Sequence, residues 1–253
     1  MWNPYDLTGK RYIVTGSTSG IGKATAIKLS QQGAEVCLVA RNEEKINRVL
    51  DLLDGDGHKG YQMDLSEKND FKSMFDDIVS DGHKIDGLVY SAGIAKILPV
   101  SLLNKANMEE SMTTNLYSFI EMVSLLSKKK YHEKTSIVGV SSISTLYPQK
   151  CQGIYVATKA AMNTMVTSMA MELAEKGIRI NTVMPSSTNT EMLREAFENK
   201  TEEQIKESIS QQVLGLIEPE DVADIILFLL SDASRMITGR SIFADGGYIN
   251  FIA

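Results

Sequence analysis

The sequence predicts an α/β fold, a doubly wound parallel sheet of about seven strands with helices on both faces. Three observations carry this. Short apolar runs alternate with amphipathic helical stretches almost to the C-terminus. A glycine-rich turn joins the first such run to the first helical stretch. The length, 253 residues, suits one α/β domain with a sizeable core. Strands are expected at 11–15, 35–40, 59–63, 87–90, 136–141, 179–184 and 241–244, and helices include 21–32, 43–53, 67–79, 155–175 and 219–230. Right-handed crossovers reduce the topologies to a doubly wound sheet. Residues 1–253 read as a single domain without repeat or linker, and 186–216, rich in Ser, Thr, Asn, Gln and Glu, is expected to form a helical flap after the sixth strand.

Composition excludes several function classes. The net charge is −6 and no basic stripe of the nucleic-acid type is present. Lys128, Lys129 and Lys130 suit the end of a helix dipole. No signal-like or membrane-spanning apolar run is read, and Cys37 and Cys151 form no framework, so a reduced cytoplasmic setting is expected. His58, His83 and His132 are widely separated, so no metal site is expected.

Residues 13–22 read Ile-Val-Thr-Gly-Ser-Thr-Ser-Gly-Ile-Gly between strand and helix. Glycines at 16, 20 and 22 would let backbone N–H groups approach a pyrophosphate at the helix N-terminus, as in Rossmann-type sheets. Gly16, Thr18, Ser19, Gly20, Ile21 and Gly22 are therefore candidate cofactor contacts. At the end of the second strand, an acidic residue would select NAD, whereas this chain has Ala40-Arg41. A guanidinium matches a 2′-phosphate, so NADP(H) is favoured over NAD(H), although Arg41 could be an ordinary solvated charge and Ser19 adds no second cation. Asp64-Leu65 after the third strand suits the adenine, with Asp64 alternatively a helix cap. Ser91-Ala92-Gly93 ends the fourth strand with small residues that allow close approach of a cofactor.

Tyr155 and Lys159 lie four residues apart on a predicted helix, thirteen residues after Ser142. The ammonium is expected to stabilise the ionised phenol. Bringing a phenol of pKa near ~10 toward neutrality takes about 3–4 kcal/mol. With a serine hydroxyl beside it, the pair would cradle one carbonyl oxygen.

Taken in order, these segments, with Asn115, Asn181-x-Val-x-Pro185, Ile237-Thr-Gly239 and Asp245-Gly246-Gly247, make the chain similar to the short-chain dehydrogenase/reductase family over nearly its whole length. The resemblance implies a catalytic tetrad of Asn115, Ser142, Tyr155 and Lys159. Tyr155 would exchange the proton, Ser142 orient the oxygen, Lys159 hold the nicotinamide ribose, and Asn115 hold a relay water. Pro185, Thr188 and Thr190 would contact the nicotinamide end. Departures are Tyr90-Ser91 where many members carry paired asparagines, and Ser186 where glycine is usual.

The substrate wall is expected from 94–100, 143–152 and 186–216, with Met184 among its adaptable residues. A general NADP(H)-dependent carbonyl reductase acting on a small carbonyl or secondary alcohol ranks first. The resemblance also admits 3-oxoacyl-carrier-protein reductase, with Lys128–Lys130 part of a docking patch for an acyl carrier protein, although Met171 stands where such reductases usually show arginine. A sugar or sterol alcohol dehydrogenase remains open. So does a non-catalytic dinucleotide sensor. Small and methionine residues along 155–176 predict a helix buried on more than one side, and the resemblance implies a homotetramer.

Overall fold

A computed structural model of the chain describes residues 3–198 and 200–248. Among these residues, β1 (Arg11–Thr15), β2 (Glu35–Ala40), β3 (Lys59–Gln62), β4 (Gly87–Tyr90), β5 (Thr135–Val140), β6 (Ile178–Pro185) and β7 (Ser241–Ala244) form one sheet of order β3-β2-β1-β4-β5-β6-β7. Every pairing is parallel, with Ile13 of β1 opposite Cys37 of β2 and Leu88 of β4. The order reverses between β1 and β4, which opens a crevice at the carboxyl ends of these strands.

The helices are α1 (Gly20–Gln31), α2 (Glu43–Leu50), α3 (Phe71–Ile78), α4 (Lys105–Met112), α5 (Ser118–Leu126), α6 (Gly153–Ala174), α7 (Glu191–Phe197), α8 (Glu202–Ser210) and α9 (Pro219–Leu230). Strand residues alternate between two cores. Ile13, Leu88 and Ile137 join Phe75, Phe119 and Met162 on one face, while Tyr12, Val14 and Val138 join Leu29 and Ile226 on the other. Burial on both faces is why β1, β4 and β5 read as continuous apolar runs. No described helix is long and apolar enough to cross a membrane.

Local chemistry sets several boundaries. Asn42 caps α2 by accepting from the Lys45 amide at 2.8 Å, with Glu43 and Glu44 in the first turn as the dipole favours. The helix expected from residue 67 begins only at Phe71, because Asp70 takes the capping position and accepts from the Ser73 amide at 2.9 Å. The expected extension of α2 to residue 53 gives way to turns after Leu50. The long α6 buries one stripe, Thr158, Lys159, Met162, Val166, Ala170 and Leu173, rather than most of its circumference. Met171 on its outer side is 73% exposed. The stretch expected to form a flap contains α7 and α8, and Thr188 bridges to Ile217 at its base.

Candidate active site

Many of the sequence-predicted residues gather at the carboxyl end of the sheet because they follow strands, while Asn115, Tyr155 and Lys159 reach it from helical segments. Gly16 follows β1, Arg41 β2, Asp64 β3, Ser91 β4, Ser142 β5 and Thr188 β6.

The glycine turn is a cradle with no room for side chains. Gly16 has φ +62°, and a Cβ there would lie 2.8 Å from the Ala92 amide nitrogen. A Cβ on Gly22 would lie 2.3 Å from the Gly16 carbonyl oxygen. Thr15 locks this turn to the next strand by accepting from the Ala92 amide at 3.2 Å. Ser19 caps α1 without a side-chain hydrogen bond, and no acidic residue occupies the first turn. A helix start of this kind, its amides uncapped by side chains, suits a phosphate group. Thr18 is half-buried, Ser19 is exposed, and Ile21 packs partly against the core. The flap meets the turn directly, since a Cβ on Gly20 would sit 2.8 Å from Cγ2 of Thr190.

Asp64 is not a helix cap. Its Oδ1 accepts from the amide and hydroxyl of Ser66 at 2.9 and 2.7 Å. Burial opposes its ionisation, but the two Ser66 hydrogen bonds and the Arg41 charge hold the carboxyl below its ordinary value. Among the described residues no hydrogen bond reaches Oδ2. Leu65 places its side chain in the core and gives its carbonyl to the Ser118 hydroxyl at 2.9 Å. Arg41 is exposed beside this group.

Ser142, Tyr155, Lys159 and Asn115 meet beneath the crevice. Ser142 is buried in extended backbone, and its hydroxyl accepts from the Ser144 amide at 3.1 Å. Tyr155 keeps part of its surface open. Its hydroxyl lies deep enough that burial pushes the phenol above its ordinary value, opposed by a hydrogen bond with Ser142. Lys159 is 4% exposed, and its Nζ donates to the Val140 carbonyl at 2.7 Å. Burial lowers its pKa to about 8. The expectation that the ammonium makes the phenol acidic is therefore corrected for the protein alone. Nζ lies 6.0 Å from the Tyr155 ring centroid and is turned toward Val140, and desolvation dominates both groups.

Asn115 is fully buried within a π-helical turn, Thr113–Tyr117, between α4 and α5. Its Oδ1 accepts from the Ile94 amide at 2.8 Å, and its Nδ2 donates to the Ile94 carbonyl and the Thr158 hydroxyl, both at 3.0 Å. Both amide donors are thus engaged, so the side chain can receive a relay water only through the second lone pair of Oδ1. Gly93 lies between the two polar groups: a Cβ there would be 3.3 Å from Lys159 Nζ and 3.4 Å from Asn115 Oδ1. Sequence reasoning missed Thr158 and the Val140 carbonyl. Thr158 was legible as the residue beside Lys159 on the Tyr155 helix, whereas a backbone carbonyl leaves no signal in residue identity.

On the substrate side, Pro185 ends β6, and the Ser186 hydroxyl donates to the Asp245 carbonyl at 3.1 Å. Its φ is not positive, so serine fits where glycine was expected. Thr188 donates to the Ser186 carbonyl at 3.1 Å, and Thr190 caps α7. Tyr147 and Tyr248 stack with centroids 5.4 Å apart, joining the loop after β5 to the segment after β7. The Leu98 amide donates to the Cys151 carbonyl at 2.8 Å, which links the loop after β4 to the same region. Met184, expected in the substrate wall, is buried in β6 beside Asn163.

Lys128–Lys130 are not near this site. They follow α5 at the end where strands begin: the Ile85 amide, just before β4, donates to the neighbouring Tyr131 carbonyl. Lys130 pairs with Asp76, and Lys84 donates to the carbonyls of Lys129 and Lys130. The expected docking patch is therefore displaced to the opposite end of the sheet from the crevice.

Residues 16–249 match the family model described as Enoyl-(Acyl carrier protein) reductase. The chain is 31% identical over 247 residues to a 3-oxoacyl-[acyl-carrier-protein] reductase of Thermotoga maritima, covering 96% of this chain and 99% of that protein. It is 31% identical over 245 residues to an NAD-dependent glycerol dehydrogenase of Listeria innocua (96% and 95% covered). An L-xylulose reductase of Caenorhabditis elegans is 31% identical over 253 residues (97% and 98%). The crystal structure of a 3-oxoacyl (acyl-carrier-protein) reductase from Agrobacterium tumefaciens with NADP bound superposes with TM-score 0.85, at 27% identity and 96% coverage of each chain. Glycine cradle, strand order and these whole-length likenesses agree: the chain belongs to the short-chain dehydrogenase/reductase family, oxidoreductases that use a nicotinamide dinucleotide.

Proposed function

We propose that the protein interconverts a small-molecule carbonyl and its secondary alcohol with NADP(H), with Tyr155 as the proton donor and acceptor. The observation that carries this reading is the convergence of Ser142, Tyr155 and Lys159 at the strand ends beside the glycine cradle. The bound nicotinamide supplies or accepts the hydride. The protein does the rest. In reduction, Tyr155 gives its proton to the carbonyl oxygen while Ser142 holds that oxygen in line. Lys159 has three donors and gives one to Val140, so the others are available to ribose hydroxyls and to Tyr155. Its pKa of about 8 lets it exchange protons near neutrality, which suits it to reload the phenol. Oxidation of an alcohol runs through the same groups in reverse.

Arg41, exposed and close enough to lower the Asp64 pKa, supports NADP(H), as does the NADP-bound neighbour. Thr188 and Thr190, at the base of the flap, are assigned to the nicotinamide end. The exposed outer side of α6 around Met171 supports a homotetramer, and light scattering would reject it by finding a monomer at micromolar concentration. Unpaired Cys37 and Cys151 suit a reducing cytoplasm.

A carrier-bound acyl substrate is the second reading, favoured by the 3-oxoacyl reductases among the relatives. Against it stand the position of Lys128–Lys130 and the acidity of the flap, where Glu191, Glu195, Glu198, Glu202, Glu203 and Glu207 outnumber Arg194, Lys200 and Lys206. An acidic carrier would be repelled there. The deciding experiment follows NADPH and NADH oxidation across ketones, oxidised sugars and acyl thioesters, with Tyr155→Phe as control. Turnover is expected with a small carbonyl, and Tyr155→Phe should lose about 100-fold or more while keeping cofactor affinity. Full activity in that variant removes Tyr155 from the chemistry. Tight cofactor binding without turnover on the whole panel would instead favour a sensor.

A further inference from the structure

Tyr90 directly precedes the Ser91-Ala92-Gly93 turn, and its buried hydroxyl has a defined acceptor. The residue ends β4, is fully buried, and tilts its ring against Phe119 with centroids 5.3 Å apart. Its hydroxyl donates to the carbonyl of Thr114. That carbonyl lies in the π-helical turn, where the Ser118 amide reaches five residues back to the Thr113 carbonyl rather than four back to Thr114. Such turns disturb the regular ladder and occur often at functional sites. The peptide so held leads directly into Asn115, whose side chain grips both backbone groups of Ile94 and the hydroxyl of Thr158. Ile94 follows Gly93, the residue packed between Asn115 Oδ1 and Lys159 Nζ.

We propose that Tyr90 is a positioning residue: by fixing the Thr114–Asn115 peptide within the π-helical turn, its hydroxyl sets the grip of Asn115 on the Gly93–Ile94 turn that flanks Lys159. The consequence for catalysis rests on the functional reading above, whereas the mechanical link does not. Burial pushes the Tyr90 phenol far above its ordinary value, so the hydroxyl stays a donor throughout the working pH range. The Ser118 hydroxyl, bonded to the Leu65 carbonyl, ties the same turn to the loop after β3.

The test is Tyr90→Phe in the full chain, which removes one oxygen and keeps the ring. Amide hydrogen exchange of the cofactor-free protein should show the Ile94 amide and the amides of 115–119 exchanging at least about tenfold faster, with β5 and the middle of α6 unchanged. Unchanged exchange at Ile94 overturns the proposal. So does uniform acceleration across the sheet, which marks general destabilisation. Asn115→Ala supplies the second arm: it should free the Ile94 amide by itself, and adding Tyr90→Phe should accelerate that amide no further. Additive acceleration at Ile94 would show that Tyr90 does not act through Asn115. With a carbonyl substrate from the panel, Tyr90→Phe should lower kcat about tenfold and leave NADPH affinity within about twofold. If Tyr155→Phe remains fully active, the functional reading fails while the exchange result still decides the mechanical link.

Discussion

Arg11 and Lys159 are buried cations at opposite ends of one sheet, and the protein treats them in opposite ways. Arg11, 6% exposed where β1 begins, donates to Glu35, to both oxygens of Asp81 and to the carbonyls of Ile78 and His83. The Asp81 hydrogen bond outweighs burial and raises its pKa further, while Arg11 in turn holds the Asp81 carboxyl far below its ordinary range. Lys159, where β5 ends, has one carbonyl partner and no carboxylate pair among the described residues, and burial depresses its pKa to about 8. A saturated charge fixes structure. A charge left with spare donors in a dry crevice is costly to the fold and available for chemistry.

Breaking each cation separates these roles. Lys159→Met should cut turnover by about 100-fold or more, while the melting temperature holds or rises because an uncompensated buried charge is gone. Steady-state kinetics and calorimetry check both halves, and a large loss of stability would contradict the contrast. Arg11→Met should show the converse. It strands Glu35, Asp81 and the carbonyls, and should cost about 2–4 kcal/mol, moderated because Asp81 is half exposed. Turnover per folded molecule should stay unchanged, with the folded fraction taken from urea unfolding.

The pH dependence sharpens the same contrast. The folded state holds Lys159 near 8 against an ordinary 10.5, so between these values the unfolded chain binds the extra proton. Native stability should therefore rise with pH across 8–10.5 relative to Lys159→Met, as read by urea unfolding at a series of pH values. Asp81 shares the sign of the slope but for the opposite reason, because its charged form is stabilised rather than penalised by the fold. Its contribution is present above its ordinary 3.8 and is lost as pH falls through its lower folded value, so Arg11→Met should flatten the acid limb only. The smallest effect belongs to the exposed cation of the crevice. Arg41→Asp should weaken NADPH relative to NADH by about 1.5–3 kcal/mol without changing stability, and a native preference for NADH would refute its phosphate role.

Particular elements show how much the residues disclosed in advance. The alternating apolar runs of β1, β4 and β5 needed no tertiary information, because continuous burial writes itself into composition. The glycine turn was equally plain, since the approach of the Ala92 backbone to Gly16 tolerates no side chain. The start of α3 was misread because Ser66 and Asp70 are both competent caps, and only the fold shows that Asp64 occupies Ser66. Lys128–Lys130 follow the crossover helix before β5, and in a parallel sheet such a helix stops at the strand amino ends, so the predicted topology already placed this patch opposite the crevice.

Sequence by itself determined the strand–helix alternation, the cradle, and the shared face of Tyr155 and Lys159, all of which follow from local periodicity and the sterics of a missing Cβ. Tertiary structure alone decided the charge states and grips of the site: burial rather than the neighbouring ammonium governs the phenol, Val140 holds the lysine, and a widened helical turn aims Asn115. The physical reason is that desolvation and backbone hydrogen bonds depend on what surrounds a group in space, which no spacing along the chain records.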